Sequence, residues 1–376
     1  MEQQPTSGSS IPSDLISDIL LRLPAKSVGR FRCVSKLWLS ITTDPCFIKT
    51  FGTTRPSLLL CSMKGQNLFV TSTPQHFHQS SIRSYSSSQP IHRYPMKLPG
   101  EQSYFSCMHS VHGLICMEDL KSRKPFVWNP SMEKLLQLPK PKMSSRNINV
   151  FFGYDSVEGK HKVLCLPYRE ICYVGRVFTL GSEQESWRTV RTNLKHMCCG
   201  YAYGRCIKGA IYYLAYIQPE NSMVVMSFDV RSEIFHMIEL PLGIDYIDYD
   251  VLISYDGRLA CIGGDDDTRL WILEDADKHN WSFQDFLLPL IEWELNVCWN
   301  QDVSFEYKCD RFELKGCTHA GEFIYVPSIV HESSYIIFYD PVRNSCRRLK
   351  FEGIVDGEFG NTMHVFPDHI ESLMSF

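Results

Sequence analysis

The chain has 376 residues, 38 Lys and Arg against 42 Asp and Glu, a net charge of −4 and 44% hydrophobic residues. At about 100–200 residues per domain, this length predicts either two domains or one small piece in front of one large one. The acidic balance argues against a general nucleic-acid binder, which carries a basic excess, and no run of about 18 apolar residues offers a membrane span.

Residues 1–10, "MEQQPTSGSS", are polar and lack a basic segment followed by an apolar one. They read as a disordered tail and not as a secretory signal. The 15 cysteines form an odd set without any Cys-x-x-Cys spacing, which reads as reduced, packed thiols. The expected location is the cytoplasm, the nucleus or both.

The next stretch, "IPSDLISDILLRLPAKSVGRFRCVSKLWLSITTDP" (Ile11–Pro45), has a helical period. Ile11, Leu15, Ile16, Ile19, Leu20 and Leu23 recur every three or four residues, which makes one broad apolar helix face. Pro12 suits a first helical turn, Asp14 and Asp18 place negative charge toward the helix N-terminus, and Pro24 is expected to stop the helix. A second short helix carries Val28 and Phe31. A third is capped by Ser35, carries Leu37, Trp38 and Ile41, and is expected to end at Asp44-Pro45. Three helices this short cannot build a full core alone. Their surplus apolar surface either caps the following domain or waits for another protein, and the periodicity alone does not choose.

The motifs in this stretch are Ile-Pro-Ser-Asp-Leu, Ile-Leu-Leu-Arg-Leu-Pro, Lys-Ser, Arg-Phe-Arg-Cys-Val-Ser-Lys, Trp38 and Asp-Pro-Cys-Phe. In this order they resemble an F-box of the form common in plants, over residues 11–51. The resemblance implies docking onto the SKP-type adaptor of cullin–RING ubiquitin ligases. The implied contacts are Pro12, Leu15, Ile19, Leu20, Leu23, Pro24, Val28, Val34 and Trp38. Gly29 departs from the family pattern, which has an apolar residue there. A helical Gly costs about 1 kcal/mol relative to Ala, so a lost packing contact and weaker docking are expected.

After Phe51 the period shortens. Runs such as "SLLLCS" (57–62), "GLICM" (113–117), "KVLCL" (162–166), "AIYYLAY" (210–216), "VLISY" (251–255), "EFIYVP" (322–327) and "YIIFYDP" (335–341) are strand-length and β-branched or aromatic. A repeat runs through them. One strand opens after His112-Gly113, Lys208-Gly209, Asp256-Gly257 or Ala320-Gly321. The next ends in Asn or Asp, and a further strand returns to an apolar-Pro pair. "VWNPSMEKLLQLP", "SFDVRSEIFHMIELP" and "FYDPVRNSCRRLKF" are three copies of that second half. Two further hairpins carry Trp187 and Trp281 at their return strands. Units begin near residues 57, 107, 151, 200, 249 and 317, mostly about 45–50 residues apart, the period of propeller blades. "MHVF" (363–366) is expected to supply a late strand that closes the ring onto the first unit.

Asn129–Pro139, Phe152–Asp155 and Trp187-Arg188 resemble hallmarks of the F-box-associated domain of plant F-box proteins. That resemblance implies a kelch-like β-propeller of about six blades over residues 56–370. The expected fold class is therefore mainly β with a small α domain: a three-helix F-box followed by a propeller.

Other candidate chemistry is sparse. Cys107, His109 and His112 do not match a structural zinc spacing, and no metal or cofactor is expected. The segment Thr71–His92, including His76 and His78, reads as a solvated loop. The acidic clusters Asp245–Asp250 and Gly263–Asp267 read as rim loops. No phosphate loop, nucleophile elbow or zincin motif occurs.

The expectation is thus a non-catalytic substrate receptor of a ubiquitin ligase, with cullin and RING subunits reached through the adaptor and an unidentified protein as target. Two alternatives stay open. One is an adaptor-binding protein outside any ligase. The other is a propeller enzyme using His112, Asp256 and His319 at the channel mouth.

Overall fold

The computed structural model describes residues 11–52, 57–64, 67–74, 92–97, 105–119, 121–145, 147–182, 184–199, 204–219, 221–241, 252–263, 269–286, 312–327, 335–350 and 363–374. Four short helices come first: α1 (Ser13–Leu21), α2 (Ala25–Phe31), α3 (Lys36–Thr43) and α4 (Pro45–Gly52). Pro24, expected to stop the first helix, instead precedes α2, since α1 already ends at Leu21. Ser35 caps α3 as expected, its side chain accepting from the Trp38 N–H.

The sequence predicts three helices, and the structure has four. Asp44-Pro45 is a start as well as a stop. Asp44 Oδ1 accepts from the N–H groups of Cys46 (2.8 Å) and Phe47 (3.0 Å). Pro45 takes the first helical position, where its missing N–H costs nothing. Phe47 and Phe51 of α4 then reach the bundle core beside Ile16, Leu20, Ala25 and Val28.

The remaining described chain is β. The first unit is β1 (Ser57–Lys64), β2 (Asn67–Pro74) and β3 (His92–Lys97). The second is β4 (Phe105–Val111), β5 (Leu114–Asp119), β6 (Lys124–Asn129) and β7 (Lys134–Gln137). The third is β8 (Ile148–Asp155), β9 (Lys160–Pro167), β10 (Ile171–Thr179) and β11 (Arg188–Cys198). The fourth is β12 (Arg205–Ile207), β13 (Ala210–Ile217), β14 (Ser222–Asp229) and β15 (Phe235–Glu239). The fifth is β16 (Leu252–Tyr255), β17 (Arg258–Gly263), β18 (Arg269–Asp275) and β19 (Asn280–Asp285). The sixth is β20 (Phe312–Cys317), β21 (Phe323–Pro327), β22 (Tyr335–Asp340) and β23 (Ser345–Lys350). The last strand, β24 (Met363–His369), pairs antiparallel with β1 and gives the first unit a fourth strand. The third and fourth units form one eight-stranded sheet, because β11 also pairs with β13.

Local chemistry explains the hairpins. At His112-Gly113, Lys208-Gly209 and Asp256-Gly257 both central residues have positive φ, 47° and 79°, 48° and 83°, 49° and 64°. Two-residue turns of that kind match the right-handed twist of the strands they join.

A second device recurs between later strands of a unit. An Asp or Asn ends one strand, and the residue four places on sits at positive φ: Asp119 and Arg123, Asn129 and Glu133, Asp229 and Glu233, Asp340 and Asn344. The leading side chain ties down the turn, as when Asp340 Oδ1 accepts from the Val342 and Arg343 N–H groups at 3.0 Å.

Each sheet is apolar on both faces, and neighbouring units fill the space between them. Leu59 and Cys61 of β1 pack with Ile115, Met117, Phe126 and Trp128 of the second unit. Val127 packs with Phe152 and Val163, Phe151 with Tyr213, Val225 with Leu259 and Cys261, and Ala260 with Phe323 and Ile337. Leu58 and Leu60 then pack with Ile324, Val326 and Phe338 of the sixth unit. The leading strands also touch in succession: β24 with β4, β4 with β8, β8 with β12, β12 with β16, β16 with β20, and β20 with β24. Among the described residues no helix is long and apolar enough to cross a membrane.

Candidate functional site

The helical bundle has two sides. α1 splits its apolar residues into two stripes: Ile16 and Leu20 point into the core, whereas Leu15 and Ile19, one place earlier, stay exposed. This follows from helix geometry, since residues four apart share a face and adjacent residues do not. Ile11, Leu15, Ile19, Val34, Leu37 and Leu39 are each 43–59% exposed. Asp14, Asp18, Arg30 and Lys36 are exposed on the same three helices. Burying that many aliphatic side chains would contribute several kcal/mol at about 25 cal/mol per Å².

The nine residues expected to dock a partner divide as follows. Pro12, Leu15, Ile19, Pro24 and Val34 are exposed. Leu23 and Trp38 are half-buried, with Trp38 packed edge-on against Phe31 at 5.1 Å. Leu20 and Val28 are fully buried and form the bundle core, so what they contribute is support for the surface above them. Leu37 and Leu39 are exposed in the same bundle; the sequence placed Leu37 on the third helix but counted neither among the docking residues. Only their solvent exposure marks them, because leucine spacing on a short helix does not reveal which stripe faces inward.

The other side of the bundle is sealed. Met132, in the turn between β6 and β7, and Leu373, just past β24, join the bundle's apolar core. Gly29 lies beneath Met132: a Cβ built there would stand 2.6 Å from Met132 Cε. The expected lost contact at Gly29 is therefore corrected. The glycine faces the β portion, and a methionine fills the space an apolar side chain would occupy.

Elsewhere, titratable groups are tied into the fold. His109 is buried, its Nδ1 is 3.1 Å from the Gly204 carbonyl, and burial pushes its pKa down to about 4. His112 is exposed and lies over the Tyr154 ring at 3.9 Å. Among the described residues there is no group of three or more His, Cys, Asp or Glu placed to hold a metal ion. The His112 ring lies over Tyr154, Asp256 pairs with Arg258 at 3.6 Å, and the His319 backbone N–H donates to Asp368 Oδ1 at 3.1 Å. The Asp245–Asp250 cluster, all of 264–268, and His76 and His78 lie outside the described residues.

A polar cavity of about 330 Å³ opens beside the third unit, lined in part by Glu158, Lys162 and Arg188. Both of its inner cations converge on Glu233, at 2.9 Å from Lys162 and 2.6 Å from Arg188. Burial works against the Glu233 carboxylate, but the bonds from Arg188 and Lys162 outweigh it and hold its pKa below the usual range. The group is thus an ion-paired tie between the third and fourth units.

The bundle and the β portion coincide with two known families. Residues 9–50 match the F-box domain, and residues 57–370 match the F-box associated beta propeller domain. F-box protein At3g10240 of Arabidopsis thaliana is 50% identical over 381 residues, covering 98% of this chain and 94% of its own. F-box protein At5g18160 of the same plant is 37% identical, with 98% and 92% covered. Among solved structures, a chain of a Nidogen/Laminin complex is similar at TM-score 0.45 and 7% identity, over 82% of this chain and 98% of that one. The chain belongs to the F-box proteins that carry an F-box-associated β-propeller domain.

Proposed function

We propose that the protein is a substrate-receptor subunit of an SKP–cullin–F-box ubiquitin ligase, acting in the cytoplasm or nucleus. The observation that carries this reading is the set of exposed apolar residues on the bundle, Leu15, Ile19 and Val34 foremost, while its core is closed by Met132 and Leu373. Exposed apolar surface of this extent marks an interface. The face takes the SKP-type adaptor, and cullin and RING subunits follow through it.

The propeller has six blades in this reading, closed where β24 pairs with β1, and its rim loops hold the protein target. The chain itself does no chemistry. It raises the effective concentration of target lysines near the charged conjugating enzyme.

The test is co-purification of the full chain with an SKP-type adaptor. Leu15→Asp with Ile19→Asp alters only exposed positions, so the fold persists. Binding is expected to fall about tenfold or more. Unchanged co-elution with intact circular dichroism would sink the assignment.

A further inference from the structure

The helical bundle and the segment Ile370–Met374 are bound together by several independent contacts. Leu373 is fully buried in the bundle core, between helices that lie at the opposite end of the sequence. The α2 N-terminus is preceded by Pro24 and has no side-chain cap of its own. Glu371 Oε2 instead accepts from the Ala25 N–H at 3.0 Å, and the carboxylate meets the positive end of the helix. Arg32 donates to the Thr42 carbonyl at 3.2 Å and to the Leu373 carbonyl at 2.8 Å.

The same segment is pinned to the second unit of the β portion. Asn129 Nδ2 donates to the carbonyls of Ser372 (3.0 Å) and Met374 (2.7 Å), and Ser131 Oγ accepts from the Ser372 N–H at 3.3 Å. A Cβ at Gly113 would stand 2.6 Å from the Ile370 carbonyl oxygen, so the tail runs directly over the tip of that unit.

From these contacts we propose that Ile370–Met374 is a structural part of the F-box. The tail plugs its core, caps α2 and holds the bundle at one fixed attitude on the propeller. The tail immediately follows β24, whose partner is β1. It therefore reaches the bundle in register only when the last strand has paired with the first. A complete F-box is in this way conditional on a complete β portion, and a chain truncated or misfolded in its later units presents a loosened F-box. Of this proposal, only the consequence for adaptor binding rests on the receptor reading.

The test is hydrogen exchange on the full chain, compared with a chain ending at His369 and with Leu373→Asp. In both variants the α1 and α2 amides are expected to exchange about tenfold faster or more, while those of β5 and β9 stay within about twofold. Adaptor co-purification is expected to fall in parallel. Unchanged α1 and α2 protection in both variants would overturn the proposal. Loss of protection throughout the chain in both would also overturn it, since the tail would then be holding the propeller and not the F-box. If the wild-type chain binds no adaptor and the variants still lose α1 and α2 protection, the receptor reading fails and the tail assignment stands.

Discussion

At Gly29 a single missing side chain decides how two parts of the molecule meet. In sequence it is a helix-weakening residue. In the structure it is the seat of Met132, whose Cε would lie 2.6 Å and Sδ 3.0 Å from an added Cβ. Met132 ends in a flexible thioether that yields to a methyl group but not to a branched side chain. Gly29→Leu is expected to destabilise the bundle by about 1–3 kcal/mol through overpacking. Met132→Ala in the same chain should recover much of that loss. A double-mutant cycle from denaturant midpoints reads the coupling, and additivity would show that the two residues do not meet.

The two hairpin tryptophans work between units. Trp187 Nε1 donates to the Pro139 carbonyl at 2.6 Å, and Trp281 Nε1 donates to the Glu239 carbonyl at 2.8 Å. Trp187, just before β11, and Trp281, in β19, each tie one unit to the end of the preceding one. Trp281→Phe keeps the ring and loses the donor, which should cost about 0.5–1 kcal/mol, since the partly exposed carbonyl can turn to water. The sequence marked both tryptophans as members of a repeat. It did not show that their partners lie in the neighbouring unit.

Element boundaries were legible where local chemistry sets them. Units expected to begin near residues 57, 107, 151, 200, 249 and 317 begin at Ser57, Phe105, Ile148, Arg205, Leu252 and Phe312. Turn residues and alternating apolar runs act over only a few positions, so they survive in a linear reading. Helix α4 was missed because Asp-Pro both ends one helix and begins the next, and only the fate of the Asp44 side chain separates the two.

The Asp-led turns yield a prediction at this scale. Asp340→Ala removes the acceptor for two N–H groups and should cost about 1 kcal/mol, whereas Asp340→Asn should stay within about 0.5 kcal/mol. Thermal or chemical unfolding of the two variants separates acceptor from charge. An equal loss in both would mean that the Arg343 pair at 3.6 Å is what counts.

Taken as one body, the molecule buries histidines that it keeps neutral. Burial pushes His109 and His369 down to about 4 and His161 to about 3. The ordinary value near 6.5 returns on unfolding, so the stability these groups favour is present above about pH 6.5 and is lost as the pH falls toward their folded values. Glu118 acts in the opposite sense. Burial raises it to about 7 despite Arg123, so its share is lost as the pH rises.

Near pH 5.5 the unfolded chain binds three more protons at the histidines and one fewer at Glu118, a net of two. The expected slope from these four groups is on the order of 2–3 kcal/mol per pH unit, with stability falling as acid is added. Denaturant titrations between pH 7 and 5 measure it. His161→Phe, which can still stack on Phe152, should lower the slope by about half. An unchanged slope would show that His161 does not carry its share.

The sequence by itself determined the kinds of element, the starts of the described β units and the F-box at the front. Periodicity, caps and turns are near-neighbour effects, written in adjacent residues. Only the tertiary structure decided which leucines of α1 face outward, what fills the space over Gly29 and where Ile370–Met374 goes. Those outcomes depend on contacts such as Gly29 with Met132 and Arg32 with Leu373. Apolar burial is non-directional, so no local pattern names a partner that the folded β portion alone brings into reach.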